Sequence, residues 1–433
     1  MLAKLLAWAM VLLFVLPGDL NYSNPGGSAD SEGNIATRIV QILIFAASLF
    51  VLTTQAGLFK KLIRSVNIYF VVIVAFSAFS LLWSVAPDAT IHRLMRMPAA
   101  IGISLTIGMV AWSPNQFHKI VSPVITFVMI GSLIFGLVNP ELAIHHEPSP
   151  ELYLAWHGLT TQKNILGNLA GFGFIIALHS YLSRYGGVIA FIVSGGSALT
   201  CLLLSHSSTS MFATIAATSI LIVILKMPLV LRRFVPVLVS FVVIVAIIYA
   251  LAMLNAIPGL KIILSPIASF TGKDLTFSGR TAIWEPIVEH IKLRPVLGSG
   301  FGAYWAGPIP SSDSYILLKK LYWYPYSAHN GILDIINDLG FIGLVLLVGY
   351  LITYLRDSLH LYKLDRNQGA LFIAILLSQM IMNLSESIYF NVTNLDFVLM
   401  AMSTVFLGRS LIEMKYRKST KVRYSHAFQA QTN

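Results

Sequence analysis

Apolar residues run along this chain in blocks close to the roughly 20 residues that an α-helix needs to cross about 30 Å of hydrocarbon, and short polar breaks separate them. About twelve such runs centre near Val11, Ala47, Val74, Ser104, Met129, Ile175, Gly195, Ala217, Ile244, Val345, Leu377 and Met400. The pattern predicts an all-α, polytopic helical membrane protein. Its expected divisions are N-terminal spans over 1–256, a more polar loop unit over 257–331, C-terminal spans over 332–410 and a basic tail over 411–433. The first run, Leu5 to Pro17, has signal-peptide length. Gly18-Asp19 follows it without a small-residue cleavage pattern, so it reads as a short uncleaved span.

Composition narrows the class. Of 433 residues, 56% are hydrophobic and 11% charged, against about 25% charged in an ordinary soluble domain, and mean hydropathy is +0.77. Cys201, the one cysteine, lies inside an apolar run, which excludes a disulfide framework. The net charge of +11 is scattered over membrane-flanking loops and the tail, a topology signal rather than a nucleic-acid surface.

An even number of spans puts both termini on one side. With the termini in the cytoplasm, 18 of the 29 Lys and Arg lie inside, among them Lys60, Lys61, Arg64, Lys226, Arg232 and Arg233. Seven of the others belong to the 257–331 loop, which the positive-inside rule weighs little. Only Arg38, Arg93, Arg96 and Lys163 then stand in short outer loops. Two outer segments, 139–163 and 257–331, exceed ordinary connections, and functional chemistry is expected there.

The longer one contains Phe277-Ser278-Gly279-Arg280-Thr281-Ala282-Ile283-Trp284, then a run with Ile283, Ile287 and Ile291 on one face. It reads as a helix lying in the membrane interface, apolar side down, with Arg280 at its start. Arg280 suits either a lipid-phosphate anchor or a diphosphate ligand, since guanidinium presents a planar fork of donors. The loop ends in Tyr322-Trp323-Tyr324-Pro325-Tyr326-Ser327-Ala328-His329-Asn330-Gly331, which sets His329 at the mouth of the bundle, as an interfacial hydrogen-bonding residue or a base. Asn330, Asp334, Asn337 and Asp338 follow on a face too polar for lipid. Asp334 lies about 140° round the helix from His329, at about 100° per residue, and is not its obvious partner.

Further cations open other spans: Arg93 and Arg96, one turn apart, and Lys163. Each suits an anionic ligand or snorkelling to lipid phosphate. Glu386 precedes the last span, as a cap, as a partner for one of these cations, or as a substrate contact. His145, His146, Glu147, Glu151 and His157 lack a metal-site spacing, so no metal is expected. No Walker loop, dinucleotide fingerprint or Asp-x-Asp occurs, and no cofactor is expected. An outer-face enzyme without nucleotide needs a donor activated beforehand.

Three stretches together resemble the O-antigen ligase and polymerase superfamily, nearest in character to its exopolysaccharide polymerases. They are Ser278-Gly279-Arg280 with Trp284 and Arg294-Pro295-Val296-Leu297-Gly298-Ser299-Gly300; Ala328-His329-Asn330 with Gly340-Phe341-Ile342-Gly343; and Gln162-Lys163-Asn164-Ile165-Leu166-Gly167. Leu82-Trp83-Ser84 and Asn383-Leu384-Ser385-Glu386-Ser387 look like further landmarks. The resemblance implies a GT-C-like protein of the bacterial inner membrane. Its implied reaction is a metal-independent, inverting glycosyl transfer on the periplasmic face, from an undecaprenyl-diphosphate-linked glycan donor to a glycan or lipid-linked acceptor, with a flippase and a chain-length regulator as associated partners. His329 would be the essential histidine and Arg280 a diphosphate ligand, with Lys163, Arg93, Arg96 and Glu386 as further substrate contacts. Where many members carry Arg or Lys after the seventh span, this chain reads Ser205-His206-Ser207-Ser208-Thr209-Ser210, so Lys163, Arg93 or Arg96 would stand in. Polymerase is the leading expectation; a ligase shares its chemistry, whereas a transporter, a flippase or a non-catalytic assembly partner rests on span count alone.

Reporter fusions test the topology. Fusions after Lys61, Arg233 and Arg366 are expected to report cytoplasm, and those near Ser149 and Ser311 the outer side. A cytoplasmic Ser311 fusion overturns every site assignment above.

Overall fold

The computed structural model describes Leu5, Trp8 and residues 35–110, 116–146, 152–253, 280–392 and 395–431. All but the first of the twelve predicted centres fall within its helices; Val11 lies outside the described residues, as do 257–279 of the expected loop unit. In chain order the helices are α1 (Ile35–Thr54), α2 (Ala56–Ile63), α3 (Ile68–Phe79), α4 (Pro87–Val110), α5 (Gln116–Val138), α6 (Pro140–Ala143), α7 (Lys163–Leu182), α8 (Val188–Leu204) and α9 (Ser208–Lys226). Then come α10 (Val235–Met253), α11 (Arg280–Leu293), α12 (Tyr315–Leu321), α13 (Gly331–Leu364), α14 (Arg366–Met382) and α15 (Leu395–Gln431). One isolated antiparallel bridge, Ile144 to Trp156, is the only β pairing among the described residues.

This is a polytopic helical membrane protein. Five described helices are long and apolar enough to cross a membrane, and a sixth span results if the pair that meets at 104° between Thr54 and Ala56 counts as one. The segments Ile68–Trp83 and Val188–Leu204 are apolar but shorter, so the twelve runs are not twelve full-length spans. At the centre stands α14, buried at every residue from Gln368 to Met382. A helix apolar all round belongs inside a bundle, and α7, α9, α13 and α15 pack against it. At the periphery α8 and α10 leave Ile189, Ile192, Phe241 and Ile244 exposed, as a lipid-facing surface does.

Several connections meet at one end of the bundle. Trp83 donates its indole N–H to Leu297 O at 3.1 Å, and Val85 N donates to Ser299 O at 2.9 Å. Ser385 Oγ donates to Thr209 Oγ1 at 2.7 Å. The alternation of spans assigns all of these segments to a common side.

At this end α13 is broken. Gly340 adopts φ 65° and ψ −165° inside it, a left-handed excursion that suits glycine. A break in a spanning helix strips backbone groups of their partners, which lipid cannot replace. The turn-forming segment 295–300 takes them over. Phe341 N donates to Pro295 O at 2.8 Å and Ile342 N to Val296 O at 3.3 Å, while Asn337 O and Asp338 O accept from Ser299 N at 3.0 Å and Gly300 N at 2.9 Å. A Cβ on Gly298 would strike the Asp338 carbonyl, and one on Gly340 the Val296 carbonyl. The two glycine-bearing stretches of the sequence are thus two halves of one backbone clasp.

The helix α11 lies differently from its sequence expectation. Its apolar face is covered by protein rather than laid on lipid: Ile283 and Ile287 are buried with Tyr304, Trp305, Leu317, Ala328 and Leu333. The reason is the aromatic-rich segment that follows α11, which folds back and supplies the apolar cover. Periodicity reveals that a face is apolar but not what covers it.

Replacing Gly340 by Ala is expected to lower stability by about 1–3 kcal/mol through the left-handed conformation, with the carbonyl clash adding to it. Gly196→Ala, where an added Cβ meets nothing within 4 Å, is the neutral control. Thermal unfolding in detergent measures both, and equal midpoints would remove the clasp as a structural constraint.

Candidate active site

His329 sits in the turn that opens α13, and each residue around it is tied down. Ala328 N donates to both oxygens of Asp334 at 3.2 Å, and Ala328 O accepts the Trp284 indole N–H at 2.8 Å. Asn330 Oδ1 caps α13 by accepting from Ile332 N at 3.1 Å and Leu333 N at 3.0 Å. Asn330 N donates to Ser387 Oγ at 3.1 Å, and Gly331 N to Asn383 O at 3.1 Å. Between these anchors His329 takes φ 48°, a conformation uncommon for a side-chain-bearing residue and persistent only where its surroundings over-determine it.

The separation of 57 positions between His329 and Glu386, in Asn383-Leu384-Ser385-Glu386-Ser387, closes here. The loop after α14 is held by Asn383, whose Oδ1 accepts from Ile388 N at 3.0 Å and Tyr389 N at 2.9 Å. It delivers Glu386 into the middle of the cluster. Glu386 Oε1 accepts from Arg280 Nη2 at 2.7 Å and from Asn164 Nδ2 at 2.7 Å; Oε2 faces His329 Nδ1 at 3.2 Å. Burial opposes ionisation of Glu386, but the charges of His329, Arg280 and Lys163 outweigh it and hold the carboxyl below the ordinary range. With Nδ1 facing Glu386, Nε2 is the ring nitrogen left to exchange a proton. Arg280, His329 and Glu386 are each mostly shielded, with side-chain exposures of 18%, 21% and 15%. The arrangement presents one base, two cations and one carboxylate at the end of the bundle.

Lys163 opens α7 and acts on Glu386 through its charge. Beside it, Gly167 packs on Ser205, Ser207 and Ser210, which brings the hydroxyl-rich Ser205–Ser210 stretch next to the lysine-bearing motif. Arg93 turns inward. Its side chain crosses the face of Gly302, within electrostatic reach of Asp338 and Asp334, so it neutralises protein carboxylates apart from the Glu386 cluster. Arg96 lies half-buried one turn further along the same helix. Asp334, as the helical angle suggested, holds the backbone of Ala328 instead of the His329 ring.

The rings of His145 and His157 lie 4.8 Å apart, tilted by 59°, and His157 Nδ1 approaches Thr160 O at 2.7 Å. Glu147 and Glu151 lie outside the described residues. Among the described residues no three His, Cys, Asp or Glu group to hold a metal ion.

Sequence reasoning did not single out Trp305, whose indole N–H donates to Asp334 Oδ1 at 3.0 Å, or Gly302, whose N–H donates to Asp338 Oδ2 at 2.8 Å. Nor did it single out His290 on α11. The only signal was an acidic face on α13 that needed donors from somewhere.

The described residues form a helical membrane bundle with a polar cluster at one end. The O-antigen ligase family matches residues 189–348, a stretch that contains Arg280 and His329 and ends before Glu386. The exopolysaccharide production protein ExoQ of Rhizobium meliloti (strain 1021) is 27% identical over 301 residues. That alignment covers 64% of this chain and 62% of the relative, somewhat less than two thirds of its length. The likeness to the O-antigen ligase family thus runs from α8 to the middle of α13.

Removing the carboxylate tests the hub. Glu386→Ala strips the charged acceptor from Arg280 and is expected to cost roughly 1.5–3 kcal/mol, seen as a lower unfolding midpoint. Because the Glu386 carboxyl is held low, its contribution is present above the ordinary glutamate range and lost as pH falls through the depressed value. The stability excess over Glu386→Gln should therefore be full at neutral pH and vanish in strong acid. A pH-independent difference sinks the ionised hub.

Proposed function

We propose that this chain is a glycosyl-transfer enzyme that polymerises undecaprenyl-diphosphate-linked repeat units on the periplasmic face of the inner membrane, with inversion and without metal. The observation that carries it is the convergence of His329 and Arg280 on Glu386 at the closed end of the bundle. A polymerase of this kind needs a base for an acceptor hydroxyl and positive charge for a departing diphosphate. His329 Nε2 takes the proton from the acceptor hydroxyl as that oxygen bonds to the anomeric carbon. The bond from that carbon to the diphosphate oxygen breaks, and the electron pair leaves with the lipid diphosphate. A placed base contributes about 10² to 10⁴-fold, and one preorganised donor roughly 3 kcal/mol. Glu386 fixes the His329 tautomer and, before the donor arrives, occupies Arg280 as the diphosphate would. Lys163 supplies the second cation that the Ser205–Ser210 stretch lacks.

A ligase that moves finished glycan to another acceptor uses the same groups, and the likeness to the O-antigen ligase family favours it. The name of the relative, an exopolysaccharide production protein, favours polymerisation. Product length separates the two, since a ladder of lengths from one repeat-unit donor requires a polymerase. A flippase and a chain-length regulator are the expected companions of that reaction.

With a purified lipid-linked donor, His329→Ala is expected to abolish turnover at normal protein level. Arg280→Lys is expected to lose most of it although charge is kept, because a point charge cannot reproduce the planar pair of donors. Wild-type-like turnover by Arg280→Lys refutes the bidentate role, and normal polymer from His329→Ala removes it as the base. Chelators are expected to leave the rate unchanged.

A further inference from the structure

The lower part of α11 holds a polar cluster that the reaction above does not use. His290 is 8% exposed, three turns along the same helix from Arg280. Its Nδ1 lies 2.8 Å from Asn337 Oδ1 on α13, and its Nε2 lies 3.1 Å from Asp313 Oδ2 in the segment before α12. Ser299 Oγ stands 3.5 Å from Nδ1, and the ring packs on Tyr304 with centroids 4.5 Å apart. Asn337 is the residue whose carbonyl accepts from Ser299 in the backbone clasp.

We propose that His290 is the positioning residue for Arg280: it bolts the helix that carries the arginine to the broken helix that His329 opens. The inference rests on the reading of Arg280 as a diphosphate ligand. Among the described residues, Trp284 and His290 reach the His329 element from positions near the two ends of α11. Trp284 reaches Ala328 O beside His329, and His290 reaches Asn337 two turns into α13. One bond alone is a pivot about which a short helix rocks; two fix its direction, and with it the place of the guanidinium at its first residue. Hydrophobic contact through Ile283 and Ile287 supplies adhesion without direction.

The Asn337 amide is turned with its oxygen toward the ring, so both ring nitrogens face oxygens. Asn337 Nδ2 is then buried without a hydrogen-bond partner. With the amide reversed, Nδ2 donates to Nδ1 and Nε2–H serves Asp313, so both contacts of the ring become hydrogen bonds.

The test is a double-mutant cycle on the purified full-length protein, read as turnover of lipid-linked donor per folded molecule. His290→Phe keeps a ring against Tyr304 and loses both bonds. It is expected to lower turnover about a hundredfold, the scale of a displacement of about 1 Å at a reacting group. His290→Gln, which keeps one bond, is expected to recover part of the loss. In an Arg280→Lys background His290→Phe should cost little more, because the residue it positions is already compromised. Equal losses in both backgrounds, or unchanged turnover by His290→Phe, overturn the positioning role. If His290→Phe does not fold, Asn337→Ala carries the same cycle, since it removes the bond that joins the two helices and leaves the backbone carbonyl of the clasp in place. Binding of undecaprenyl diphosphate, the carrier without sugar, separates the two ideas. Arg280→Ala losing binding while His290→Phe keeps both binding and turnover defeats the positioning role alone; Arg280→Ala keeping both defeats the diphosphate reading and the positioning role with it.

Discussion

The break in α13 at Gly340 is the constraint on which the rest of this end of the molecule depends. An unbroken helix would satisfy its own backbone and have no use for a neighbouring turn. The break exposes the carbonyls of Asn337 and Asp338 and the N–H groups of Phe341 and Ile342, and residues 295–300 answer all four. In an apolar surrounding an unmet backbone group costs several kcal/mol, so the pairing is obligatory. Because residues 295–300 follow α11 directly, the pairing also sets where that helix ends. Through Trp83 and Val85 it reaches the end of α3 as well.

Glu386 is the electrostatic counterpart of that backbone clasp. A carboxylate shielded to this degree is unfavourable by itself, and it is kept ionised by Arg280, His329 and Lys163. Removing any one of these leaves the others more costly to bury. The same carboxylate brings three separate stretches of chain to one point, from the start of α7, the start of α11 and the start of α13. It also decides which nitrogen of His329 holds the proton, so an assembly contact and a chemical role coincide in one residue.

Around His329 the structure concentrates hydrogen bonds on the backbone rather than on the ring. Asp334, Trp284, Ser387, Asn330 and Asn383 all act on the main chain of residues 328–333. That is what a left-handed histidine requires, since its conformation is locally unfavourable and persists only under restraint. The acidic face of α13, unexplained by lipid, is the means of that restraint: Asp334 holds the turn, and Asp338 holds the segment that closes the break.

Hydropathy is a local property, and it determined what the sequence alone determined here: the helices at all but the first centre and the membrane class. The sequence also singled out Arg280, at the start of an amphipathic run, and His329, at the mouth of a span. What the tertiary structure decided were pairings between residues far apart in the chain. Arg280 and Glu386 are 106 positions apart, and the sequence offered Glu386 a cap, a cation or a substrate without choosing among them. Arg93 was legible as an out-of-place cation but not as an inward-facing one, since the carboxylates that claim it belong to α13. The apolar face of α11 met protein instead of lipid for the same reason. A side chain's partner is chosen by which segments the backbone brings into reach, and that choice was made by a helix break more than 40 residues away from the Glu386 loop it serves.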